Sequence, residues 1–246
     1  MTQALKKLFR RNKEPEFRAP PDIDAADLEI IRKSKPFTMT GVERLYAVVR
    51  AVRYLVQSGI GGDIVECGVW KGGSMVAAAE TLKAMDAAKR GLWLYDTFEG
   101  MPEPTSKDVS HSGESANAHF AARRDVRTGG SDWCRSPLDE VRTNVGSTGY
   151  PKDLVHYVKG RVEETIPFQA PERISLLRLD TDWYESTRHE LHHLFPRLVP
   201  GGVLIVDDYG YWKGCREAVD EYFASKRVAM LLHRIDRTCR VGVKLA

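Results

Sequence analysis

Five apolar runs along the chain alternate with stretches whose apolar residues recur every three or four positions. The runs are 63–69 (DIVECGV), 91–98 (GLWLYDTF), 154–160 (LVHYVKG), 174–180 (ISLLRLD) and 201–209 (GGVLIVDDY). Each is nearly continuous rather than alternating, as a strand buried on both faces requires. Helical periodicity marks 72–89 and 186–199, and also "DAADLEIIRKS" and "TGVERLYAVVRAVRYLVQSG" ahead of the first run. Strand and helix in repetition predict an α/β fold, a doubly wound, mostly parallel sheet with extra N-terminal helices outside it. The tail breaks the rhythm: 228–236 and 239–246 are separated only by Arg237 and Thr238, which predicts an antiparallel hairpin. The interval 100–153 is polar and rich in Ser, Gly and Arg, which predicts a surface lid with one short helix near "SPLDEVRTNV". The expected division is an N-terminal arm or lid over 1–35, then one domain over 36–246 with a lid insertion at about 100–153.

Composition narrows the classes. The chain has 246 residues, 42% apolar and 29% charged, which suits a single sizeable α/β domain. With 37 basic and 34 acidic residues and no basic stripe interleaved with aromatics, no nucleic-acid partner is expected. No segment reaches the roughly 18 apolar residues of a membrane span, so no membrane partner is expected either. The basic N-terminus, "MTQALKKLFRRNKEPEF", has too few apolar residues for a secretory signal and reads as a tail or a short amphipathic helix. Four scattered cysteines without a C-x-x-C pair suit free thiols in a reducing, cytoplasmic setting.

Chemistry enters at "VECGVWKGGS". Glu66 ends the first strand, Gly68 follows, and Gly72, Gly73 and Ser74 open a helix. Glycines let a ligand approach the backbone, and a helix N-terminus offers free N–H groups to an anion. The spacing matches neither the P-loop nor the G-x-G-x-x-G fingerprint. Asp96, at the end of the second strand, stands where a carboxylate accepts from ribose hydroxyls, or where it caps a tight turn.

Two metal signatures lie side by side in "LRLDTDWYESTRHELHH". His189-Glu190-x-x-His193 fits the zincin pattern. However, Leu191, Leu194, Phe195 and Leu198 mark the buried stripe of that helix, and at about 100° per residue both histidines turn away from it. Thr187 and Glu190 also stand in capping-box spacing, and the only downstream third ligand in view is Glu217. The pattern therefore reads as coincidence. Asp180 and Asp182 end one strand, and Asp207 and Asp208 end the next. On neighbouring strands about 4.8 Å apart, four carboxylates would converge, and a cation would relieve their repulsion. All-oxygen ligands select Mg²⁺, Mn²⁺ or Ca²⁺ over zinc.

These stretches, with "YDTFEGMP" and "PGGVLIVDDYGYWKGCREAVDEYF", resemble the macrocin O-methyltransferase family from about Pro36 onward, and more distantly the Mg²⁺-dependent catechol O-methyltransferases. The resemblance implies a class I methyltransferase fold, a Rossmann-like seven-stranded sheet whose last strand is antiparallel. It implies S-adenosylmethionine as cofactor, with Glu66, Gly68, Trp70 and Ser74 at the glycine turn and Asp96 and Thr97 at the ribose. Val162 and Glu163 would lie near adenine, Thr40 would close over the cofactor, and Asp180 would line the same site. Trp133 and Cys134 would touch adenine from the lid. Metal ligation would fall to Asp180, Asp207 and Asp208, with Mg²⁺ or Mn²⁺ bound. Asp182 matches the general base, with His156, His189 or a water as substitutes. Trp183 and Tyr184 would line the acceptor pocket or pack its mouth, and Tyr209 to Trp212 would shape it. His111 and His119 read as surface residues.

The acceptor implied is a hydroxylated small molecule, a glycoside or glycan, in an enzyme that could be a homo-oligomer. Two alternatives stand beside it. One is a D-x-D glycosyltransferase using a nucleotide sugar, which leaves the glycine turn and Asp207-Asp208 without roles. The other is an O-methyltransferase of a phenolic diol.

Overall fold

The computed structural model describes residues 19–124 and 130–245. The tail expected over 1–18 lies outside the described residues. A seven-stranded sheet runs through the centre in the order β3-β2-β1-β4-β5-β7-β6. Its strands are β1 (Asp63–Cys67), β2 (Leu92–Asp96), β3 (Val155–Lys159), β4 (Ile174–Leu179), β5 (Leu198–Val206), β6 (His233–Arg234) and β7 (Arg240–Val243). The first five are parallel; β7 pairs antiparallel with β5, and β6 with β7.

Burial explains the continuous apolar runs. Ile64, Leu92, Leu94, Leu176, Val203 and Ile205 face one hydrophobic cluster. Their neighbours Val65, Cys67, Tyr95, Leu177, Leu179, Leu204 and Val206 face the other. With both faces of β1, β2, β4 and β5 covered, no polar alternation is left to show in them. The first cluster lies under α1 (Ala25–Ser34), α2 (Val42–Gln57) and α3 (Gly73–Ala84). Leu45, Val48, Val49, Val52 and Leu55 form the α2 stripe at helical spacing. Ile30 and Ile31 of α1 join this core, so residues 25–34 are the packed helix that the periodicity predicts, within the stretch assigned to the arm.

Among its described residues the interval 100–153 holds two α-helices rather than one, α4 (Ala116–Ala122) and α5 (Leu138–Gly146). Val141 and Val145 of α5 are buried in the first cluster against Gly72, where a Cβ would press on both valines. The residues of this interval from 138 onward thus belong to the packed domain rather than to a cover over the cavity. Asp108 anchors the part ahead of α5: fully buried, it accepts from the Thr105 N–H at 2.7 Å and from the Tyr184 N–H at 2.8 Å. The latter is the first N–H of α7 (Tyr184–Leu194), which follows the short α6 (Val162–Thr165). Helix α8 (Lys213–Lys226) packs beside α7 over the second cluster.

The tail hairpin is shorter in strand and longer in turn than the sequence suggests. Residues 228–232 are not strand, and the connection spans 235–239. Asp236 organises it by accepting from the N–H groups of Thr238 and Cys239, each at 2.8 Å. An Asp with two backbone donors makes a wider turn than a two-residue hairpin loop.

Candidate active site

The C-terminal ends of β1, β2, β4 and β5 open into one cavity of about 640 Å³. That size suits a cofactor and a small acceptor together. Here the chain leaves β1 through Gly68, whose φ of +79° and close approach to Asp180 admit no side chain: a Cβ there would overlap the Asp180 carbonyl. Asp96 ties this turn to its own strand end. One carboxylate oxygen accepts from the Val69 and Trp70 N–H groups at 2.8 and 3.1 Å, the other from Phe98 N–H at 2.7 Å. Most of its accepting capacity is thus used within the protein, which leaves little for a ribose hydroxyl. Thr40, Trp70, Thr97, Val162, Glu163, Trp133 and Cys134 also line the cavity.

Glu66 and Ser74 do not line it. Glu66 pairs in register with Arg178 on β4, whose Nη1 donates to its carboxylate at 2.6 Å, and both side chains are 3% exposed. Burial pushes the Glu66 carboxyl up to about 7, and Arg178 draws it back down. Ser74 borders the same small hollow behind the cavity. The neighbouring strand supplies a cation that pulls Glu66 inward, away from a ligand.

Beside the Gly68 turn the four aspartates converge. Single carboxylate oxygens of Asp180, Asp207 and Asp208 lie within 4.8 Å of one another, the one group among the described residues arranged to hold a cation. Asp182 faces Asp208 and Trp212. Asp180 and Asp182 meet through a turn rather than strand alternation, since β4 stops at Leu179 and Asp182 has a φ of +70°. Burial, then the neighbouring acids, drive Asp180 and Asp208 well above the ordinary carboxylate range, and burial raises Asp182 to about 7.

Two arginines counter this charge, and neither was expected from the sequence. Arg178 Nη1 also donates to Asp180 at 2.6 Å and its Nη2 to Asp207. Arg44, from the first turns of α2, donates to the other Asp207 oxygen, to Asp236 at 2.6 Å and to Thr238. Burial works against both guanidinium charges, yet the carboxylates raise both pKa values. Five acids (Glu66, Asp180, Asp182, Asp207 and Asp208) thus face two cations, one of which also serves Asp236. The cluster must take up protons or a divalent cation, and its all-oxygen donors suit Mg²⁺ or Mn²⁺.

The zincin pattern has no such geometry. His189 and His193 are half-buried and stack 4.4 Å apart between ring centroids, with His189 Nε2 against the Ile166 carbonyl at 2.9 Å. Glu217 pairs with Lys107 instead. The expected capping box is also absent, because α7 begins at Tyr184 and places Glu190 in its interior. There Glu190 is fully buried and accepts from the Thr181 hydroxyl at 2.9 Å, steadying the loop that carries Asp180 and Asp182. Burial raises its pKa well above the usual range, which favours the protonated form in the folded state. The unfolded chain ionises above about pH 4.3, so this contribution to stability is complete below that pH and shrinks as pH rises toward the folded pKa. Glu190→Gln is expected to fold, within about 1 kcal/mol of wild type at neutral pH, and to flatten the decline of Tm between pH 5 and 8.5. Thermal melts across that range check it; parallel curves would show that Glu190 is ionised in the fold.

Aromatic residues close the acceptor side. Trp133, Trp183 and Trp212 meet edge to face with ring centroids 5.1 to 6.2 Å apart. Trp133 and Trp212 line the cavity, whereas Trp183 lies behind them with its N–H on the Pro102 carbonyl at 3.0 Å. Tyr184 points away, its hydroxyl on Glu221 at 2.6 Å. His156 stacks on Trp93 at 4.2 Å outside the cavity, so neither it nor His189 reaches a substrate proton. His111 is exposed, as expected, and also lines the cavity rim with Tyr211.

Comparison with known proteins agrees with this geometry. The family model described as macrocin O-methyltransferase (TylF) matches residues 7–242, so the similarity includes residues ahead of Pro36. A tetracenomycin-C rhamnosyl 4'-O-methyltransferase of Streptomyces olivaceus is 36% identical over 89% of this chain and 79% of its own length. The mycinamicin III 3''-O-methyltransferase of Micromonospora griseorubida is 35% identical over 81% of this chain and 75% of its own. The solved structure of the O-methyltransferase NovP superposes with a TM-score of 0.76 at 30% identity, covering 85% of this chain and 83% of that one.

Proposed function

The chain belongs to the macrocin O-methyltransferase family, and from that premise we propose that it is an S-adenosylmethionine- and Mg²⁺-dependent O-methyltransferase acting on a sugar hydroxyl of a glycosylated natural product or glycan. The observation that carries the reading is a single cavity that brings the Gly68 turn beside the Asp180, Asp207 and Asp208 oxygens. Bound in those places, S-adenosylmethionine supplies the methyl group, and Mg²⁺ lowers the pKa of the acceptor hydroxyl.

The protein's own residues do the rest. The glycine turn and Asp96 fix the floor on which the cofactor lies, and in-line positioning accounts for much of the rate. Asp182, beside Asp208 at the acid cluster, accepts the acceptor proton. Its turn is held on three sides: the Asp180 N–H donates to Cys67 at 2.8 Å, the Trp183 N–H to Thr181 at 2.8 Å, and Thr181 to Glu190. Trp133 and Trp212 exclude water from the reacting end.

Calorimetric titration with S-adenosylhomocysteine, with Mg²⁺ and again with excess chelator, tests the assignment. Binding at micromolar concentration that survives chelation is expected, because the cofactor floor is built from the Gly68 backbone and Asp96 rather than from the acid cluster. No binding, together with metal-dependent binding of UDP-sugars in a parallel titration with Mn²⁺, would replace this reading with a glycosyltransferase.

A further inference from the structure

The acceptor end of the cavity is polarised, with acids at depth and donors at the rim. Three arginines line the cavity. Arg44 is committed to Asp207 and Asp236, and Arg161 lies 3.4 Å from Glu163. Arg237 has no carboxylate within ion-pair distance among the described residues. Its Nη2 instead lies 2.6 Å from His111 Nε2. A guanidinium can only donate, so Nε2 accepts, the imidazole is neutral, and its Nδ1 keeps a hydrogen to donate.

Both side chains are exposed at the rim, and the backbone that carries them is held in place. Arg44 clamps Asp236 and Thr238, the residues on either side of Arg237. Gly210 donates its N–H to the Thr238 carbonyl at 2.8 Å and packs so closely that a Cβ would come within 2.8 Å of the Arg237 carbonyl oxygen. The His111 N–H donates to the Tyr211 carbonyl at 2.8 Å, one residue from the Trp212 that contacts Asp182. A positioned guanidinium without a counterion, beside a second donor, has the chemistry of an oxyanion site. A neutral sugar would need acceptors there as well as donors.

We propose that Arg237 and His111 bind an oxyanion carried by the acceptor sugar, either a phosphate ester at the anomeric carbon or a uronate carboxylate. This inference rests on the methyltransferase reading of the same cavity. The uronate keeps the glycoside acceptor of that reading, whereas a phosphate ester would replace it with a sugar methylated before transfer to its aglycone, since the glycosyl-transfer step consumes that activated carbon.

The test is calorimetric titration of the Mg²⁺-loaded protein, saturated with S-adenosylhomocysteine, using glucose 1-phosphate, methyl glucuronide and methyl glucoside. One of the two anionic sugars is expected to bind at least about tenfold more tightly than the neutral glucoside, and which one does identifies the oxyanion. Arg237→Gln should weaken that ligand by about tenfold, and Arg237→Lys should recover part of the loss. Unchanged S-adenosylhomocysteine affinity in both variants controls for folding. Equal binding of all three sugars would overturn the proposal, as would an Arg237→Gln variant that binds the anion like wild type, since the metal alone would then hold it. Failure of S-adenosylhomocysteine to bind the wild type would instead remove the methyltransferase reading, and this inference with it.

Discussion

Asp182→Asn is expected to lower kcat by about 10²- to 10⁴-fold, the usual worth of a positioned general base. The amide keeps the size of the carboxylate and its place facing Asp208 and Trp212, so the loop and the cofactor floor should stand. What it loses is the ability to take a proton. The expected signature is therefore a fall in kcat with little change in S-adenosylhomocysteine affinity or Tm, measured by steady-state methyl transfer beside calorimetry. A variant that retained most of its turnover would show that Asp182 only orients the acceptor hydroxyl, and the proton would have to leave through water.

The second large effect concerns stability. Arg178→Leu should destabilise the fold by about 3–5 kcal/mol, because it strands Glu66 and Asp180 and removes one of the two cations on Asp207. For a chain of this size that corresponds to a drop in Tm of roughly 10–15 °C. The leucine is apolar like the rest of β4, so the loss would come from charge rather than strand propensity. Adding Glu66→Gln to Arg178→Leu should recover part of the loss, because one buried acid is then neutral by construction. Thermal melts of the two variants decide it. A shift of only a few degrees would mean that the acids in this cluster are already protonated.

The same arginine shows where sequence reading stops. In "ISLLRLD" it looks like a blemish in an apolar strand, because its meaning depends on Glu66, opposite it on β1 and 112 positions earlier. Arg44 is further removed still, meeting Asp207 across 163 positions from a helix that reads as ordinary packing. Long-range charge pairs leave no local periodicity. Burial does, which is why the five parallel strands and their order of helices were legible to within a few residues. The carboxylates were legible too, because Asp180 and Asp207 directly follow apolar runs and adjacent parallel strands end together. The tail was harder. "VAMLLHRID" has the composition of a strand, but only His233 and Arg234 pair, and the turn beyond them is shaped by Asp236 and Arg44. Glu66 was misplaced for the same reason as Arg178: its partner, not its position in the glycine motif, decides where it points.

Asp108 has a consequence for how the chain can be divided. It caps the first turn of α7 from 76 positions upstream, where α7 has no side-chain cap of its own. A fragment starting after residue 137 would contain every residue of α7 and still lack its N-terminal cap, so that turn would fray. The catalytic loop and α7 are thus not separable from the segment that covers the cavity. Circular permutants or split versions cut between Asp108 and Tyr184 depend on the two pieces finding each other again, and the covering segment serves as much as a splint for α7 as a roof for the substrate.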